Sequence, residues 1–144
     1  VHALNFPAYS LDIREQGQKK FIFDIVRKKL IPLTPEEWVR QHAIHHFVEH
    51  YHIAPSTIAV EREIQFNRMK KRFDILVFGG ENLPKVIVEC KAPEVKISRE
   101  TIIQIAMYNQ TFQCPNLWLT NGLDHFWFIM ENGKLKPSVA PETL

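Results

Sequence analysis

The chain has 144 residues, 45% hydrophobic and 24% charged, with a formal net charge of +2. That is the size and make-up of one globular domain with its own core, not of a disordered, fibrous or membrane-spanning chain. The near balance of charge excludes a histone-like or arm-type nucleic-acid binder.

In chain order, Leu11 to Ile13 and Phe21 to Val26 flank a polar stretch containing Gly17, and together they predict a β-hairpin. Thr34-Pro35-Glu36-Glu37 is a helix start, with Thr34 as N-cap, Pro35 at the first position and Glu37 placed to complete a capping box. That helix is expected to run to about Tyr51. Ile58 to Phe66 alternates as a strand. After the basic cluster Arg68-Met69-Lys70-Lys71-Arg72, read as a turn, Phe73 to Phe78 is a second strand and Lys85 to Cys90 a third. Ser98 caps a helix to about Phe112, and Asn121-Gly122 is the strongest hairpin signal, between Leu117–Thr120 and Leu123–Met130. Residues 1–33 form an N-terminal hairpin extension, 34–131 a core and 132–144 a tail. The order predicts a mixed sheet flanked by helices.

Within Arg72 to Phe78, alternation sets Phe73, Ile75 and Val77 on one face and Arg72, Asp74, Leu76 and Phe78 on the other. In Val86 to Lys91, Ile87, Glu89 and Lys91 project together, the last two roughly 7 Å apart. A carboxylate at the end of so apolar a run is costly unless paired or metal-bound. If the two strands are hairpin neighbours, Asp74 approaches Glu89. Two carboxylates and an ammonium suit phosphodiester hydrolysis with Mg²⁺, and they suit equally a structural Glu–Lys pair beside a turn aspartate.

Asp74, fourteen intervening residues and Glu89-Cys90-Lys91 resemble the PD-(D/E)XK nuclease superfamily. Together with Arg72-Phe73-Asp74, Gln104-Ile105-Ala106-Met107-Tyr108-Asn109 and Thr120-Asn121-Gly122, they resemble the N-terminal nuclease domain of type I restriction enzyme R subunits. Phe73 departs from the superfamily's proline. The resemblance implies a restriction-endonuclease-like mixed sheet and an Mg²⁺-dependent DNA endonuclease in which Mn²⁺ substitutes. It implies Asp74, Glu89 and the main-chain carbonyl of Cys90 as metal ligands, and Lys91 and Gln104 as catalytic. Tyr108 shares the face of Gln104, with core packing as its alternative. Arg68, Lys70, Lys71 and Arg72, with Arg40 and Tyr108, would contact DNA, or the basic cluster would simply be a solvated turn. The partners implied are DNA, a second copy or other restriction-system subunits, and no membrane.

On the first helix, Glu37-Trp38-Val39-Arg40 resembles the E-x-x-R of this branch, with Arg40 inside the apolar arc and Glu36 and Glu37 at its sides. Glu37 is thus a site candidate as well as a capping residue, and the choice between Glu36 and Glu37 stays open. His42, His46 and His50 recur at i+4, a spacing that can bind zinc, but on the polar arc they read as a solvated face. Cys90 reads as a small core residue. Two cysteines without zinc-ligand spacing point to a reducing cytoplasm. No Walker-type phosphate loop occurs, so these residues contain no translocation motor. The alternative to an enzyme is a catalytically silent nucleic-acid- or protein-binding module on the same fold.

Overall fold

The computed structural model describes residues 2–144, and the side chain of Phe66, which closes the first alternating strand, lies outside the described residues. Three short strands, β1 (Ile13–Gln16), β2 (Lys19–Asp24) and β3 (Lys29–Pro32), form an antiparallel sheet in sequence order. The expected hairpin is therefore a three-stranded meander. β3 escapes a pattern search because it is four residues long, is flanked by lysines and ends in proline.

Helix α1 (Pro35–His45) follows, its N-cap Thr34 accepting from the Glu37 amide at 3.0 Å. It continues as a π turn over His46–His50. A six-stranded sheet then runs β4 (Ile58–Phe66), β5 (Met69–Phe78), β6 (Pro84–Cys90), β7 (Asn116–Thr120), β8 (His125–Glu131) and β9 (Lys134–Ser138). Only β6 and β7 pair in parallel, because helix α2 (Arg99–Phe112) carries the chain across between them. Ser98 caps α2 through the Thr101 amide. This is the mixed α/β architecture with a sheet between helices that the element order implies. Among the described residues, no helix is long and apolar enough to cross a membrane.

Two apolar layers sandwich the sheet. Val39 and Ile44 of α1 and Phe47 of the π turn pack on Ile75, Val77, Val86, Val88, Cys90 and Trp118. Ile105 of α2 packs with Phe73, Leu76, Ile87, Leu117 and Leu119 on the other side. Phe73 thus lies on the opposite face from Ile75 and Val77, contrary to simple alternation. The cause is local. Glu61 and Asp74 stand opposite each other between the pairs Val60–Ile75 and Arg62–Phe73, and Glu61 has φ +53°. Both strands change phase there, so Val60 and Ile75 pack toward α1 while Ile64 and Phe73 pack toward α2.

Three further expectations change. The basic cluster is strand rather than turn: β5 begins at Met69, and only Asn67-Arg68 connect it to β4. The β7–β8 connection is a four-residue loop over 121–124, in which Asn121 Oδ1 accepts from the Leu123 and Asp124 amides. The two-residue hairpin turn is instead Asn132-Gly133, both with positive φ, leading into β9. The histidine arc is also partly covered: His42 and His46 are shielded, while His50 stays exposed as expected. Leu4 to Tyr9 lies across it, Tyr9 Oη bonds His46 Nδ1, and the Phe6 ring lies 5.5 Å from His42 and from His46. A helical wheel cannot show a cover that arrives from a distant segment.

Candidate active site

β5 and β6 pair from Val77–Val86 to Ile75–Val88, which puts Asp74 and Glu89 next in register at the open end of the hairpin. The phase change turns Asp74 toward α1. Its Oδ1 accepts from Arg40 Nη2 at 2.9 Å and its Oδ2 from the Cys90 amide at 2.7 Å. Glu89 follows the regular alternation of β6 and faces α2. There it lines a cleft of about 260 Å³ with Lys71, Lys91, Thr101, Gln104 and Tyr108. Lys91 is held at its backbone, its amide donating to the Thr120 carbonyl at 2.9 Å.

Glu89 is the least satisfied group of the site. Its Oε1 is buried without a hydrogen-bond partner, and its Oε2 lies 4.0 Å from Lys71 Nζ. Burial, and then the neighbouring Asp74 charge, push its carboxyl up to about 7, against the pull of Lys71, the Asp74 amide and Lys91. Lys71 is itself shared with aromatic faces, 5.3 Å from the Tyr108 ring and 5.7 Å from Phe73. Of the basic cluster, only Lys71 enters this cleft; Arg68 is exposed in the β4–β5 turn and Lys70 and Arg72 are exposed along β5.

Behind Asp74 lies a buried ionic network. Arg40 Nη1 donates to Glu37, and Nη2 also lies 3.7 Å from Glu36 and 3.5 Å from Glu61. Burial works against the charged guanidinium, but Glu37 and Asp74 outweigh it and hold Arg40 more firmly protonated than usual. Glu37 faces this network, not the α2 cleft, and its carboxylate is used there instead of closing the capping box. Glu36 is the helix acid left half in solvent. Burial and then Asp74 raise its carboxyl, while Arg40 and Lys91 oppose, and its Oε1 lies 3.7 Å from Arg40 Nη2. The Cys90 side chain is buried in the α1 layer, and burial pushes its thiol far above the ordinary range.

Sequence reasoning passes over Asp24, Arg27, Gln41 and Glu61, all members of that network. One signal was available for Asp24: it ends the apolar run Phe21-Ile22-Phe23, as Glu89 ends its own.

Among the described residues, no three His, Cys, Asp or Glu side chains are grouped to hold a metal ion. A metal here would have to rest on two carboxylates supplemented by main-chain carbonyl and water oxygens, an arrangement Mg²⁺ accepts. The orphaned Glu89 oxygen fits such an ion, and so does the charge. Asp24, Glu36, Glu37, Glu61, Asp74 and Glu89 against Arg27, Arg40, Lys71 and Lys91 leave two excess negatives, the complement of one divalent cation.

A family model described as the type I restriction enzyme R protein N terminus matches residues 35–141. No curated protein matches the chain. Among solved structures, it is similar to a DUF820 protein from Anabaena variabilis, described as a candidate nuclease, at 15% identity and a TM-score of 0.50. The similarity covers 79% of this chain and 74% of that one, and it concerns the fold.

Proposed function

The chain belongs to the family of type I restriction enzyme R protein N termini, and from that premise we propose that it is an Mg²⁺-dependent endodeoxyribonuclease that hydrolyses phosphodiester bonds in DNA. The observation that carries this reading is Glu89, a half-buried carboxylate whose Oε1 is buried and orphaned, beside Asp74 and Lys91. Asp74, Glu89 and the Cys90 carbonyl would hold Mg²⁺ or Mn²⁺. When bound, the ion polarises the phosphate and acidifies a water. Lys91 orients the attacking water and stabilises the charge that grows on the phosphate oxygens. Gln104 and Tyr108 form the α2 wall of the cleft, with Lys71 between that wall and Glu89. Arg68 in the β4–β5 turn and Lys70 and Arg72 at the start of β5, all exposed, take neighbouring phosphates. DNA is the partner, with a second copy or restriction-system subunits as protein partners, and the setting is the cytoplasm.

Two observations favour a catalytically silent binding module: Asp74 and Glu89 project to opposite sides of the sheet, and both Asp74 oxygens already accept hydrogen bonds, from Arg40 and Cys90. Nicking of supercoiled plasmid with Mg²⁺, Mn²⁺ or EDTA separates the two, alongside calorimetric Mn²⁺ titration. Metal-dependent nicking supports the nuclease. Salt-dependent DNA binding without cleavage or metal uptake replaces it with the binding module.

A further inference from the structure

Arg40, which holds Asp74, has no anchor of its own along the side chain: its Nε is buried without a partner. Its tip is held by carboxylates, chiefly Glu37 and Asp74, with Glu61 at 3.5 Å and Glu36 at 3.7 Å. Two of these four, Glu37 and Glu61, are gripped by a second arginine. Arg27 sends Nη2 to Glu37 at 3.0 Å and Nη1 to Glu61 at 3.1 Å. Its remaining nitrogen, Nε, donates to Asp24 at 2.6 Å.

Asp24 is fully buried and rigidly held. Its Oδ1 accepts from the Val26 and Arg27 amides, and its Oδ2 also accepts from Gln41. Burial opposes its ionisation, yet the Arg27 amide, Gln41 and the Arg27 guanidinium keep the carboxyl below its usual range. Three nitrogens on three carboxylates is a geometry only arginine supplies. Asp24 ends β2 and Arg27 lies in the β2–β3 turn, both ahead of the residues 35–141 that the family model matches.

We infer that Arg27 is a positioning residue for Asp74, acting through Glu37, Glu61 and Arg40, so that the small N-terminal sheet is a working part of the site. The functional meaning of this relay rests on the nuclease reading; its geometry does not.

The test uses the whole chain, metal-free and labelled with ¹⁵N-arginine, as wild type, Arg27→Ala and Arg27→Lys. Arg40 guanidinium protons should exchange with water at least tenfold faster in Arg27→Ala, with Arg27→Lys in between, because lysine keeps the charge but cannot bridge three carboxylates. Exchange within twofold of wild type in the folded alanine variant overturns the inference. If Arg27→Ala does not fold, the lysine variant decides it by the same criterion. Mn²⁺ titration is the second arm, with several-fold weaker binding expected in the variants. If wild type takes up no Mn²⁺, the nuclease reading fails, while the relay stands or falls on proton exchange alone.

Discussion

Lys71 Nζ stands 4.0 Å from Glu89 Oε2, at the outer limit of an ion pair, while the other Glu89 oxygen has no partner. The lysine is drawn equally to the Tyr108 and Phe73 rings, so it compensates the buried carboxylate only in part.

Glu89 therefore strains the metal-free fold. Its carboxyl titrates near 7 in the folded protein against 4.5 unfolded. Folding carries no penalty below the lower value, a growing one between the two, and the full one above pH 7. Glu89→Gln should raise metal-free stability at pH 8 by on the order of 2 kcal/mol and leave it unchanged at pH 4.5. Melting curves at the two pH values check this, and a variant less stable at pH 8 contradicts it.

Asp74 and Lys91 should separate metal binding from chemistry. Lys91→Ala should keep its Mn²⁺ affinity and lose cleavage by on the order of 10²–10³-fold. Asp74→Ala should lose both. Alternation alone suggests that removing Asp74 would relieve an unpaired buried charge. The Arg40 and Cys90 contacts reverse that, and the variant should lose about 2–4 kcal/mol because a buried arginine is left short of a partner. Calorimetry, nicking rates and denaturant unfolding read the three effects.

The covered histidines set an acid limit. Burial, followed by the charges of His50 and His125, lowers His46 to about 4 from 6.5, and burial lowers His42 and His125 as well. The unfolded chain takes up these protons first, so stability should fall as pH drops from 6.5 toward 4. His46 alone accounts for on the order of 1–2 kcal/mol after solvent screening. His46→Gln keeps a side-chain acceptor near Tyr9 and cannot titrate, so its stability should fall less steeply across that interval.

Gly122 has φ +86°, and a Cβ there would meet Leu4 at 2.8 Å and Val39 at 3.1 Å. Gly122→Ala should cost at least about 1 kcal/mol from the backbone alone. It should also lift the first residues off the sheet, seen as faster proteolysis within residues 2–10. An unchanged cleavage pattern would show that the Leu4 contact yields without cost.

What a linear reading can see here is short-range. The Thr34 and Ser98 caps, and the shared projection of Glu89 and Lys91, follow from neighbours within a few positions. The turn of Asp74 toward α1 does not, because it needs two strands to change phase together at Glu61 and Asp74. The Asp24–Arg27 anchor and the cover over the histidines depend on segments that meet only in three dimensions. β9, with Lys134, Lys136 and Pro137, lacks the apolar weight of a strand and is recruited by its turn and its neighbour β8.

The segment over the histidines also dictates an order of events. Asn5 donates its amide to the Gly122 carbonyl, and its own carbonyl accepts from His125, 120 positions along the chain. During synthesis, Asn5 must therefore wait for Gly122 and His125, more than a hundred positions later, before it can dock. Until then Trp118, His42 and His46 lack the cover of Phe6, a surface that molecular chaperones would grip. Such remote closure belongs to slow folders, on millisecond-to-second timescales, so this segment is expected to close only after β8 has emerged.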